Sequence, residues 1–64
     1  MKKAICKPLF MKERFVNLLN RNGIDAKLTD DGFIFSDKVF ELHPALMPHW
    51  IYMNLEWLRS CKNV

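Results

Sequence analysis

Four side chains in this 64-residue sequence could ligate a metal or pair a nucleophile with its base: Cys6, His43, His49 and Cys61. A structural zinc site takes its ligands in close pairs, because a short knuckle of chain fixes two of them at tetrahedral angles. No C-x2-C or H-x3-H pair occurs here, and His43 and His49 instead flank Pro44 and Pro48 as surface or capping residues. A cysteine nucleophile needs a histidine within hydrogen-bonding reach and donors for an oxyanion. Cys61 falls on the apolar side of a helix, which suits an inert buried thiol. The adjacent carboxylates Asp30 and Asp31 sit in a turn, without an apolar pocket to separate an acid from a base. Neither of the two glycines lies in a phosphate-cradling loop. These patterns predict a protein that is not an enzyme, with no metal, no cofactor and no small-molecule substrate.

Nucleic-acid chemistry has two partial signals. Gly32-Phe33-Ile34-Phe35 resembles the aromatic strand on which RNA-binding sheets stack bases. That pattern wants a basic residue just before the glycine, where this chain has Asp30 and Asp31, which repel phosphate. Core packing of Phe33 and Phe35 is the better reading. The second signal is charge. The net charge is +3, but residues 1–22 carry Lys2, Lys3, Lys7, Lys12, Arg14 and Arg21 against Glu13 alone, a balance of +5. Residues 23–41 are acidic, at −3, and the remainder stands at +1. Lys2, Lys3, Lys7, Arg14, Asn17 and Arg21 could line one side as a phosphate-binding face, although a solvated helix face would look the same.

The elements that must position these residues follow from periodicity. Met11, Phe15, Val16, Leu18 and Leu19 fall on one side of a helix over about 9–22, with Pro8 suited to its first turn. Asn22-Gly23 stops it, Gly23 being free to adopt the left-handed conformation that closes a helix. Residues 24–29 alternate apolar and polar and predict a half-buried strand. Asp30-Asp31-Gly32 predicts a tight turn with a left-handed bulge at the glycine, 33–35 the returning strand, and 39–42 a third strand. Pro48 opens a last helix over about 49–62. The expected fold is one α+β domain spanning 1–64: an antiparallel sheet of three short strands with two helices on one face, in α-β-β-β-α order. Residues 3–7 are available as an additional edge strand.

The last helix is the informative one. Trp50, Ile51, Met53, Leu55, Trp57, Leu58 and Cys61 span an arc of roughly 200°, wider than the stripe of about 100° that one packed face requires. Ile51, Leu55 and Leu58 form one flank; Trp50, Met53 and Trp57 form the other. The second flank either fills the gap between the two helices or meets a partner, since Trp, Tyr and Met are enriched in interface centres. The candidate interface is Trp50, Met53 and Trp57 with Tyr52 beside them.

No run of about 18 apolar residues is available to span a bilayer. The basic start Met1-Lys2-Lys3 meets only Ala4-Ile5-Cys6 before Lys7 and Pro8, too short a stretch for a signal peptide. A cytoplasmic location is expected, with both cysteines as free thiols. Size and character together predict a small non-enzymatic binding protein, of the kind carried by phages and mobile elements, that binds and inhibits or modulates a host protein. Self-association is open to it as well. The alternative is a small nucleic-acid-binding regulator using the basic first helix.

Overall fold

The computed structural model describes all 64 residues. β1 (Lys2–Ile5) leads into α1 (Met11–Arg21), followed by β2 (Ala26–Leu28), β3 (Gly32–Phe35) and two 3-10 turns (Asp37–Glu41 and Pro44–Leu46). The chain ends with α2 (His49–Met53), α3 (Leu55–Ser60) and β4 (Lys62–Asn63). The sheet is four-stranded and antiparallel, in the order β2-β3-β1-β4.

α1 begins two residues later than periodicity suggests, because Pro8 belongs to the turn before it: the Met11 amide donates to the Pro8 carbonyl at 3.2 Å. Its end matches the expectation. Gly23 has φ +78, its amide donates to Asn20 O, and the Ile24 amide reaches back to Leu19 O. Ile24 and Leu19 are both buried, completing the apolar contact that accompanies this closure.

The expected third strand at 39–42 is absent, and a 3-10 turn takes its place. The Ser36 hydroxyl accepts from the Lys38 amide and starts the turn. Val39 is fully buried and Phe40 and Leu42 pack beside it, so successive residues face the core and no pleat can form. The place beside β3 is already filled by β1, where Ala4 pairs with Phe33 and Ile5 with Gly32. Residues 2–5 therefore form an inner strand, in contrast to the edge strand expected at 3–7. The helical segment expected over 49–62 is interrupted as well. Asn54 donates from Nδ2 to the Trp50 carbonyl at 2.7 Å, leaves helical geometry, and separates α2 from α3. Lys62 then belongs to β4, opposite Lys3.

One cluster of thirteen buried apolar residues holds the layers together. Ala4, Ala26, Phe33 and Phe35 contribute from the helix-facing side of the sheet; Phe15, Val16 and Leu19 from α1; Ile51 and Leu58 from α2 and α3. Phe15 stacks on Phe33 at 5.3 Å, and Trp57 meets Phe33 edge-on at 6.2 Å. Lys3, Ile34 and Lys27 form a row across the other face, which no helix covers. The outer edge of β2 is partly blocked, since Asn20 Oδ1 accepts from the Ala26 amide at 3.1 Å. No helix is long and apolar enough to cross a membrane.

Candidate functional site

The break at Asn54 decides which side chains of the last helical segment reach solvent. α2 and α3 turn Ile51 and Leu58 fully inward. Trp50 stacks on Phe15 at 4.1 Å with planes 16° apart, and Trp57 leans on the same ring at 5.3 Å. The Arg14 guanidinium lies 5.5 Å from the Trp50 centroid. Both indoles are half-buried between α1 and the sheet and do double duty as core. Of the four candidate interface residues, Tyr52 and Met53 are the ones turned outward, 53% and 66% exposed.

Tyr52 lies between two shallow clefts. One of about 420 Å³ is lined by Pro44, Ala45, Met47, His49 and Tyr52. The other, about 500 Å³, is lined by Pro44, Tyr52, Met53, Leu55, Glu56 and Arg59. Leu46 stands between Ala45 and Met47 and is 77% exposed. The connection that carries it is held by local bonds: His43 Nδ1 accepts from the Ala45 amide at 3.1 Å, and the Leu46 amide donates to the His43 carbonyl at 2.9 Å. Tyr52 and Met53 thus form an exposed apolar surface with Glu56, Arg59 and His49 among the residues of its clefts, and Leu46 is exposed in the connection that supplies Pro44, Ala45 and Met47. Sequence reading missed Leu46 and Pro44. Their signal is a large apolar residue inside a proline-bracketed connection, where no periodic face exists to bury it.

The six residues of the expected basic face are scattered. Lys2 extends from the sheet to the end of α3, where its Nζ donates to Cys61 O at 2.9 Å and Arg59 O at 3.3 Å. Lys3 is ion-paired with Asp31 at 2.6 Å and donates to Thr29. Lys7 borders a separate cleft near the start of α1. Only Arg14, Asn17 and Arg21 remain together, lining with Leu18 and Trp50 a groove of about 450 Å³. Lys12, outside the candidate set, ties α1 to the hairpin by donating to the Thr29 and Asp30 carbonyls at 2.7 and 3.1 Å. Phe33 and Phe35 are fully buried against the helices, so their rings offer no platform for bases.

Cys6 lies close enough to Cys61 and Asp31 to feel their charges, but neither histidine is among the groups acting on it. His43 and His49 are exposed, Cys6 is buried, and Cys61 is half-buried with its thiol donating to the Trp57 carbonyl at 3.3 Å. Burial pushes the pKa of both thiols up, against the thiolate a nucleophile requires. The hydrogen bond from Lys3 holds the Asp31 carboxyl below the usual range, which keeps it ionised rather than poised for proton transfer. No group of three His, Cys, Asp or Glu side chains is placed to hold a metal ion.

No protein-family model matches the chain, and comparisons with curated proteins and with solved structures likewise gave no match.

Proposed function

We propose that this chain is a small non-enzymatic binding protein that docks on another protein through the surface centred on Tyr52 and Met53. It would inhibit or modulate that protein in the cytoplasm, as an accessory protein of a phage or mobile element acts on a host factor. The observation that carries this reading is the exposed apolar pair Tyr52 and Met53, with Tyr52 lining two clefts, one of which also carries Glu56 and Arg59. Interface centres favour aromatic residues and methionine, with polar groups at the rim. Trp50 and Trp57 support the surface from below by fixing α2 and α3 on Phe15. The test is capture from host extract with the wild-type chain and with a Tyr52→Ala, Met53→Asp variant. One host protein should be retained by the wild type and lost by the folded variant. Equal capture by both would remove this surface from consideration.

A second reading, nucleic-acid binding, is favoured by the groove of Arg14, Asn17 and Arg21, which no carboxylate lines. Two guanidinium groups can take phosphates while Asn17 adds a neutral donor. Binding of this kind falls with salt, with a slope of about −0.9 per phosphate neutralised on duplex DNA. Mobility shifts at low and moderate salt, with wild type and an Arg14→Glu, Arg21→Glu variant, distinguish this reading from protein docking. Absence of any shift at low salt ends it.

A further inference from the structure

The two cysteines lie far apart in the chain, but the sheet carries them to the same corner of the fold. Cys6 continues β1: its amide donates to the Asp31 carbonyl at 2.9 Å, one step beyond the Ile5–Gly32 pair. Side chains alternate along a strand, so Cys6 points to the helix-covered face with Ala4, and both are buried. On the other side of β1, Lys2 pairs with Asn63 and Lys3 with Lys62. Continuing that register sets Cys61 opposite Ala4, and Cys61 packs against the same core cluster as Cys6. The two thiols are thus diagonal neighbours on one face, with only the methyl group of Ala4 beside them. Such diagonal pairs lie about 7–8 Å apart, less between their Cβ atoms. The electrostatics agree. The Cys6 thiol is pushed up by burial first and then by the charge of Cys61, which acts ahead of Lys12 and Asp31.

We propose that Cys6 and Cys61 are a modification site, forming a reversible disulfide that latches α3 and β4 to β1. The oxidant is a small disulfide of the glutathione class. Cys61 is the more accessible thiol. Burial raises its pKa, and the charge of Lys2, whose Nζ donates to the Cys61 carbonyl at 2.9 Å, opposes that rise. The Cys61 sulfur attacks one sulfur of the oxidant, forming a mixed disulfide and releasing one small thiolate. The Cys6 sulfur then attacks the Cys61 sulfur, and the second small thiolate leaves. The protons of the two protein thiols end on the two small thiols, and two electrons pass from protein to oxidant. Disulfide Cα atoms are seldom more than about 6.8 Å apart, so Cys61 must shift toward β1 by about 1 Å as the bond closes. Its position allows this. Cys61 belongs to neither α3 nor β4, and its amide holds the Leu58 carbonyl only at 3.3 Å. The burial that keeps both thiols protonated makes the exchange slow at neutral pH, and it equally shields the finished bond from reductants.

The test equilibrates the full, folded chain with mixtures of reduced and oxidised glutathione, then alkylates the free thiols and weighs the intact protein. The wild type should pass in one transition from two alkylated thiols to none, with the loss of two hydrogens and no linkage between chains. The oxidised form should have a higher urea midpoint than the reduced form, because the bond closes a loop of nearly the whole chain. Cys6→Ala should stop at the mixed disulfide on Cys61. Cys61→Ser should leave the buried Cys6 reacting roughly tenfold more slowly than Cys61 does in the wild type. If Cys6→Ala folds poorly, the wild-type mass and Cys61→Ser decide between them. A wild type that keeps two free thiols, stops at a glutathione adduct or links two chains overturns the proposal. So does an oxidised form with a lowered urea midpoint, which would mean that the bond closes only by forcing β1 and α3 out of place. None of these readouts involves the Tyr52 surface, so the latch and the docking reading fail separately.

Discussion

Gly32 was legible as a special residue, but for a different reason from the one its position suggests. A glycine at the end of a tight turn predicts a left-handed bulge, yet only Gly23 has positive φ. Gly32 is needed because β1 passes so close that a Cβ would collide with the Ala4 carbonyl oxygen. Gly32→Ala must therefore force β1 and β3 apart, at a cost of roughly 3 kcal/mol. That is a large part of the 3–10 kcal/mol, on the order expected for a chain of this length. Urea denaturation should show the variant's midpoint far below that of the wild type, and a wild-type midpoint would mean that β1 does not lie where it is described. The Lys3–Asp31 pair makes a smaller, pH-dependent contribution. The folded state lowers the Asp31 pKa, so the stabilisation is present above the unfolded carboxyl value and disappears as pH falls through the folded one. Asp31 is exposed to screening, so wild type and Asp31→Asn should differ modestly at neutral pH and converge in acid. Denaturation midpoints across that span would check the sign. Which lysines stayed free was not legible: Lys2, Lys3 and Lys12 are all used internally, by acceptors at distances of 17 to 59 residues along the chain.

At the scale of elements, what sequence conveyed was local. The close of α1 at Gly23 and the β2–β3 pairing depend on neighbours a few residues apart; the first appears as expected, and the second forms with a shorter first strand, Ala26–Leu28, and with Gly32 inside β3 rather than in a left-handed bulge. The inner position of β1 rests on pairing between residues 2–5 and 32–35, which no periodicity can reveal. Once β1 occupies that place, the alternation at 39–42 has no position left beside β3, and the Ser36 cap carries the chain into a 3-10 turn. The helix break at Asn54 could have been suspected, since asparagine competes with the helix for its own carbonyls. It was hidden by the unbroken apolar arc around it. The end of α3 offers a test of how the elements are joined. Lys2 brings a positive charge and two hydrogen bonds to carbonyls that α3 leaves unpaired. Lys2→Met should cost about 1 kcal/mol, a fall of roughly 4–8 °C in Tm for a domain of this size. An unchanged Tm would show that β1 does not brace α3.

The whole molecule is as compact as a folded chain of its length ordinarily is. Its radius of gyration, 10.6 Å, is what a folded chain of this length should have. Even so, nine large apolar side chains stay exposed, among them Phe10, Leu46, Tyr52 and Met53. A chain this short has little interior in which to hide them. Changing Tyr52 and Met53 should therefore alter stability by no more than about 0.5 kcal/mol, while removing capture of the host protein. A destabilised double variant would assign these side chains to the core instead. The ring of Phe15, stacked on Trp50 and Phe33 and tilted against Trp57, has a consequence of another kind. Two indoles locked at fixed angles around one ring lie in a strongly chiral environment, so the folded protein should show an intense near-ultraviolet circular dichroism band. Helical content is reported separately in the far ultraviolet, and a collapsed state keeps that signal while losing the other. Phe15→Leu should shrink the near-ultraviolet band far more than the helical one. The aromatic sandwich is in this sense an internal optical gauge, separating a chain whose helices have formed from one whose interior has locked.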